Sequence, residues 1–177
     1  MNGTGPDEFG NLNHSFGAAF LIPFTSRAGG TLSADGKVVD ATWQGRTIHL
    51  PMDFLGKYAV HGLISQAKAE NLRTKRTAGG QMLTGVIHAG DFGGHWLSDT
   101  DLYFTIALTA AAVDVTVMAK NVGKEPEPMA IGWHPYLAIP SGDRGQARVH
   151  IPAATRAEVD AIDGRTTGKL LPVNGTL

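Results

Sequence analysis

The chain has 177 residues and a mass of 18.7 kDa, a length suited to one domain that buries a core without disulfide or metal staples. With 42% hydrophobic and 18% charged residues it is not a disordered polymer. Fifteen Lys+Arg against 16 Asp+Glu leave no cationic excess to neutralise phosphates, which argues against a general nucleic-acid binder, and the lack of cysteine removes disulfides, thiolate catalysis and Cys-ligated zinc.

Residues 1–16 read as an N-terminal extension or edge segment. Met1-Asn2-Gly3-Thr4-Gly5-Pro6-Asp7-Glu8 has neither a basic nor an apolar region, so it does not read as a secretory signal. No stretch reaches ~18 uninterrupted apolar residues, so no spanning helix is expected; the expected setting is cytoplasmic. Residues 17–177 read as a single β domain. The 23 glycines are spread along the chain, which describes many turns between short elements.

In chain order, strands are expected over 17–24, 37–43, 46–50, 81–88, 101–109, 113–121, 129–137, 146–151 and 156–162. Asp35-Gly36 and Gln44-Gly45 mark tight turns between the early runs. The stretch 67–76 is expected to form at most a helical turn or two, because it lacks a sustained apolar stripe. In 113–121, Val113, Val115, Val117 and Ala119 alternate with Asp114, Thr116 and Lys120, the signature of a half-buried strand. The short link from 109 to 113 predicts an antiparallel hairpin, although Ala110-Ala111-Ala112 is poor turn chemistry. Many short strands with regular turns predict an all-β fold, an antiparallel β-sandwich.

Seven histidines stand out: His14, His49, His61, His88, His95, His134 and His150. None has the spacing of a ligand set, so no metal site is expected. The densest local signal is Ala130-Ile131-Gly132-Trp133-His134-Pro135-Tyr136-Leu137. Pro135 forces His134 toward extended geometry, and Trp133 and Tyr136 flank it with rings suited to a sugar face or a core edge. Taken alone, this segment also reads as a buried histidine within a sandwich. His61-Gly62 lets the backbone turn sharply or approach a ligand, and alone reads as an ordinary loop. Arg27 closes an apolar run and offers a planar fork of donors, to a ligand or to a salt bridge.

Order and combination add to these signals. Pro23-Phe24-Thr25-Ser26-Arg27 is followed by Asp35-Gly36-Lys37, His49-Leu50-Pro51, His61-Gly62, Asn121, Pro128 and Gly132-Trp133-His134-Pro135-Tyr136, then Gly168-Lys169-Leu170-Leu171-Pro172. From about residue 17 onward this series resembles the aldose 1-epimerase (galactose mutarotase-like) family, shortened at both ends, with the His-Pro-Tyr segment its most specific part. The resemblance implies a large antiparallel sandwich that binds a monosaccharide in an open cleft and interconverts the α and β anomers of an aldose. By position, the resemblance implies that His134 is the general acid on the ring oxygen and that His61 hydrogen-bonds near that oxygen or the anomeric centre. Arg27 and Tyr136 complete the substrate-binding set. Proton transfer needs no cofactor.

The family's general base is a glutamate in a C-terminal segment that this chain does not contain. A substitute would come from Glu70, Asp91, Asp99, Asp101, Asp143 or Asp163, and nothing in the sequence selects among them. Two further readings follow. One is a catalytically silent sugar-binding module that keeps Arg27, His61 and His134. The other is a hexose-phosphate epimerase, for which Arg73, Lys75 and Arg76 are the only basic cluster. Sheet edges left open by a shortened sandwich predict a homo-oligomer.

Overall fold

The computed structural model describes residues 19–52, 56–65 and 67–173. The expected extension 1–16 lies outside them. The fold is all-β with antiparallel pairing, as in a sandwich. Among the described residues thirteen strands, β1 to β13, run in chain order: Ala19–Leu21, Arg27–Ala28, Thr31–Leu32, Val38–Trp43, Arg46–Pro51, Ala59–Val60, Glu70–Thr77, Gly80–Gly90, Thr100–Thr109, Val113–Asn121, Gly132–His134, Thr155–Val159 and Thr166–Pro172. They form a four-stranded sheet ordered β10-β9-β8-β7, a three-stranded sheet β3-β4-β5 and the pairs β1-β11, β2-β6 and β12-β13. Among the described residues no helix is long and apolar enough to cross a membrane.

The four-stranded sheet shows why alternation in sequence becomes a two-faced layer. Cross-strand register puts Ala119, Leu102 and Ile87 in one row, and Val115, Ile106 and Leu83 in another on the same face. The opposite face carries Lys120, Asp101 and His88 in one row and Thr116, Thr105 and Thr84 in another. The lower end of the apolar face enters a core of Ile22, Ile64, Phe92 and Leu102. A second core of Val39, Ile48, Leu50 and Ala59 sits under the three-stranded sheet, and Leu63 and Trp96 pack against both. The two cores are therefore joined by burial of shared side chains, the dominant favourable term in folding.

Several expectations require correction. Residues 70–77 are not helical: they form β7, the fully exposed edge strand of the four-stranded sheet. A bulge between Glu70 and Arg73, with Asn71 at φ 52°, breaks the two-residue period that would have marked the strand. Residues 146–151 are not a strand either. Asp143 accepts hydrogen bonds from the Gly145 amide (2.9 Å) and the Gln146 side chain (2.7 Å), capping a single 3-10 turn at Arg144–Gln146. The segment expected over 129–137 is reduced to the three residues of β11. By contrast the alanine turn is real. The Thr109 hydroxyl accepts from the amides of Ala111 (3.3 Å) and Ala112 (3.0 Å), supplying the turn chemistry the alanines lack.

Between β10 and β11 the chain buries one carboxyl group. Glu127 Oε1 accepts a hydrogen bond from the Thr100 hydroxyl at 2.8 Å, while its buried Oε2 has no partner. Burial raises the Glu127 pKa, with the nearby Asp99 charge adding to it and the Thr100 bond opposing it. A carboxyl group whose folded pKa lies above its unfolded value lowers stability once pH has passed both, and costs nothing below both. Glu127→Gln keeps an acceptor for Thr100 and removes the charge, so it is expected to raise the urea midpoint at neutral pH. That gain is expected to vanish in acid, below the ordinary glutamate range. An unchanged or lowered midpoint at neutral pH would contradict the assignment.

Candidate functional site

The site is organised by the segment that runs from β1 to β2. At one end β1 pairs with β11, setting Ala19 opposite His134 and Phe20 opposite Trp133. At the other end β2 pairs with β6, setting Arg27 opposite Val60, the residue before His61. Between them the Ser26 carbonyl accepts the His61 amide (3.0 Å) and the Ile22 carbonyl accepts the Leu63 amide (2.7 Å). The Pro23 carbonyl accepts the Ala130 amide (2.8 Å), tying the strand leading to His134 to the same segment.

This pairing brings together residues 73 positions apart in the sequence. The rings of His61 and His134 lie 5.3 Å apart, tilted by 59°, and Tyr136 stacks on His134 at 5.2 Å and 16°. Both histidines are half-buried and Tyr136 is exposed. His134 thus joins the three rings into one group that solvent can reach.

His61 occupies the left-handed region, at φ 64°, and Gly62 follows at φ 81°. Left-handed backbone is uncommon for a residue with a side chain and is stored where the surroundings over-determine it, often at functional sites. Here the Ser26 and Ile22 carbonyls hold it. A Cβ on Gly62 would come within 2.3 Å of the Ile22 carbonyl oxygen, so the position requires glycine for space as well as for φ.

Arg27 is the fourth residue of interest. Its backbone neighbours the His61 loop, but its guanidinium reaches the β12–β13 turn, where Nη1 donates to the Asp163 carbonyl. The Asp163 carboxylate accepts from the Tyr58 hydroxyl (2.9 Å), the Arg165 amide (3.0 Å) and Arg165 Nε (2.7 Å). The Arg165 guanidinium also lies over the Tyr58 ring at 5.4 Å. The Arg165 amide bond is the leading cause that lowers the Asp163 pKa, helped by the Tyr58 and Arg165 side chains. Conversely, the bond to Asp163 raises the Tyr58 pKa.

Three of the other candidate carboxylates are engaged elsewhere. Asp101 holds His88 at 2.7 Å, Asp143 caps the 3-10 turn and Asp91 accepts the Gly94 amide at 2.9 Å. Asp163 is tied to Arg27 through its main-chain carbonyl, and the lowered pKa of its carboxyl group makes it a weak base. Sequence reasoning had no signal for the Tyr58–Asp163–Arg165 cluster as a partner of Arg27, because it depends on a hairpin turn about 135 residues downstream. Arg73 and Lys75 lie along edge strand β7, paired with Thr84 and Met82, and join no described contact of the histidine row. Among the described residues no group of three or more His, Asp or Glu is placed to hold a metal ion.

A family model described as aldose 1-epimerase matches residues 4–177. Comparison with curated proteins and with solved structures gives no significant match.

Two glycine substitutions test the His61 loop. Gly62→Ala meets both a left-handed φ and the Ile22 backbone, and is expected to cost at least about 2 kcal/mol. Gly45→Ala has a similar φ of 77° in open space and is expected to cost only ~1 kcal/mol. Urea denaturation of both variants measures the difference; equal losses would show that the close approach to Ile22 carries no weight.

Proposed function

Because the chain belongs to the aldose 1-epimerase family, we propose that the His61–His134 row binds a free monosaccharide and interconverts its anomers by acid–base ring opening. The observation that carries this reading is the 5.3 Å approach of two half-buried imidazoles, one of them held in a left-handed backbone conformation. Ring opening takes a proton from the anomeric hydroxyl, forms the C1 carbonyl, breaks the bond from C1 to the ring oxygen and delivers a proton to that oxygen. Imidazole can act on either side of this exchange, since its charge change falls in the physiological range. His134 in its protonated form donates to the ring oxygen, and neutral His61 receives the anomeric proton. Closure on either carbonyl face reverses both transfers, so no proton is consumed. Tyr136, stacked on His134 and exposed, offers an amphipathic ring to the sugar. Arg27 serves the sugar hydroxyls with the guanidinium edge not engaged by the Asp163 carbonyl.

Polarimetry of freshly dissolved α-D-glucose or α-D-galactose tests this reading. The chain is expected to accelerate mutarotation, and His134→Ala and His61→Ala are each expected to lower the rate about 100-fold or more. Sugar binding by calorimetry without acceleration would support a silent binding module instead. Acceleration of a hexose 6-phosphate alone would favour the phosphosugar reading.

A second copy of the chain is the proposed partner. The upper part of the apolar sheet face supports this: Val113 and Leu108 are each 55% exposed beside Ile106, Val115 and Leu83. Light scattering at micromolar concentration is expected to report a dimer or larger assembly, which Leu108→Lys weakens. A monodisperse monomer would overturn it.

A further inference from the structure

A cavity of about 290 Å³ lies at the edge of the four-stranded sheet, and its lining does not include His61 or His134. β7 starts at Glu70, paired with Val86, so β8 runs on past the end of its neighbour. Leu63, Ile64, Ala67 and Lys68 face this gap, and the cavity forms there. Its apolar side is Leu63, Ile64 and Phe92; its polar side is Lys68, Glu70 and His88. The volume falls at the small end of ligand pockets, which begin near ~300 Å³, and suits a molecule of monosaccharide size.

His88 is oriented from behind. Its Nδ1 lies 2.7 Å from Asp101 Oδ1, and an ionised carboxylate can only accept, so Nδ1 carries the hydrogen. Asp101 is further occupied by the Tyr103 hydroxyl at 3.3 Å. The pairing with Asp101 raises the His88 pKa, with Glu70 adding to it and burial opposing it. Among the described residues, Asp101, Tyr103, Glu70, Lys68 and, on the same sheet face, Lys120 opposite Asp101 are the titratable and charged groups that these contacts set around the ring. Since Asp101 is committed to His88 and Tyr103, the cavity wall offers His88 and Lys68 as cationic donors and Glu70 as an acceptor.

We infer that this cavity is a second ligand site, separate from the histidine row, that takes a small hydroxylated carboxylate such as a sugar acid. The ligand carboxylate lies between Lys68 and the protonated His88, a hydroxyl donates to Glu70, and the carbon chain covers Leu63, Ile64 and Phe92. The proposed sugar chemistry at His134 uses none of these residues.

Two-dimensional NMR titration of the full chain with D-gluconate tests the inference. Below the His88 pKa, shifts are expected at Leu63, Ile64, Lys68, His88 and Phe92, and D-glucose is expected to leave these residues unmoved. Lys68→Ala and His88→Gln are each expected to weaken gluconate binding about tenfold, the scale of one lost charge-assisted hydrogen bond. Raising the pH until His88 is neutral is expected to weaken it by a similar factor in the parent and to have little effect in His88→Gln. Mutarotation by both variants is expected to match the parent, so failure here is separable from failure of the epimerase reading. No shift at these residues at millimolar gluconate, equal shifts with D-glucose, or affinity unchanged in both variants would each overturn the inference. A response centred on His61 and His134 would overturn it as well.

Discussion

Ten residues, Ala19 to Ala28, set the geometry on which the rest depends. They pair with the His134 strand at one end and with the strand before His61 at the other, and between these they give three carbonyls to the amides of His61, Leu63 and Ala130. Each bond alone contributes about 1 kcal/mol. Together they fix the register of two otherwise distant loops, and Ile22, fully buried at the centre, anchors the segment in the core. The histidine separation is therefore a property of backbone pairing rather than of side-chain packing alone.

The four-stranded sheet contributes differently. Its apolar lower rows close the core beneath the segment, while its polar face is where Asp101 orients His88. One alternating pattern thus produces both the platform for the histidine row and the wall of the neighbouring cavity. The loop from His61 to Ile64 separates them: His61 joins one group, and Leu63 and Ile64 line the other.

Much of the strand pattern could be read directly. β4, β5, β8, β9 and β10 each have β-branched or aromatic alternation of at least five residues bounded by turn residues, and each is found within a few residues of its expected span. The two-residue strands β2, β3 and β6 are too short to show any period. β7 conceals its period behind a bulge, and its one large apolar side chain, Leu72, is more than half exposed. The segment 146–151 has a strand's composition but no partner strand, and composition carries no information about partners. At the site, residue types and order singled out Arg27, His61, His134 and Tyr136. The link from Arg27 to Asp163 lay outside any local signal, because both ends take their meaning from a hairpin turn that closes late in the chain.

The exposed outer strand β7 has a bearing on how molecules of this protein can meet. It carries Arg73, Lys75 and Arg76 within four consecutive positions. Two copies joining along this border in an antiparallel manner would set like charges against one another. Basic gatekeepers of this kind disfavour open-ended fibril growth while leaving face-to-face contact untouched. One of the two borders of this sheet is thereby kept from adding a like strand.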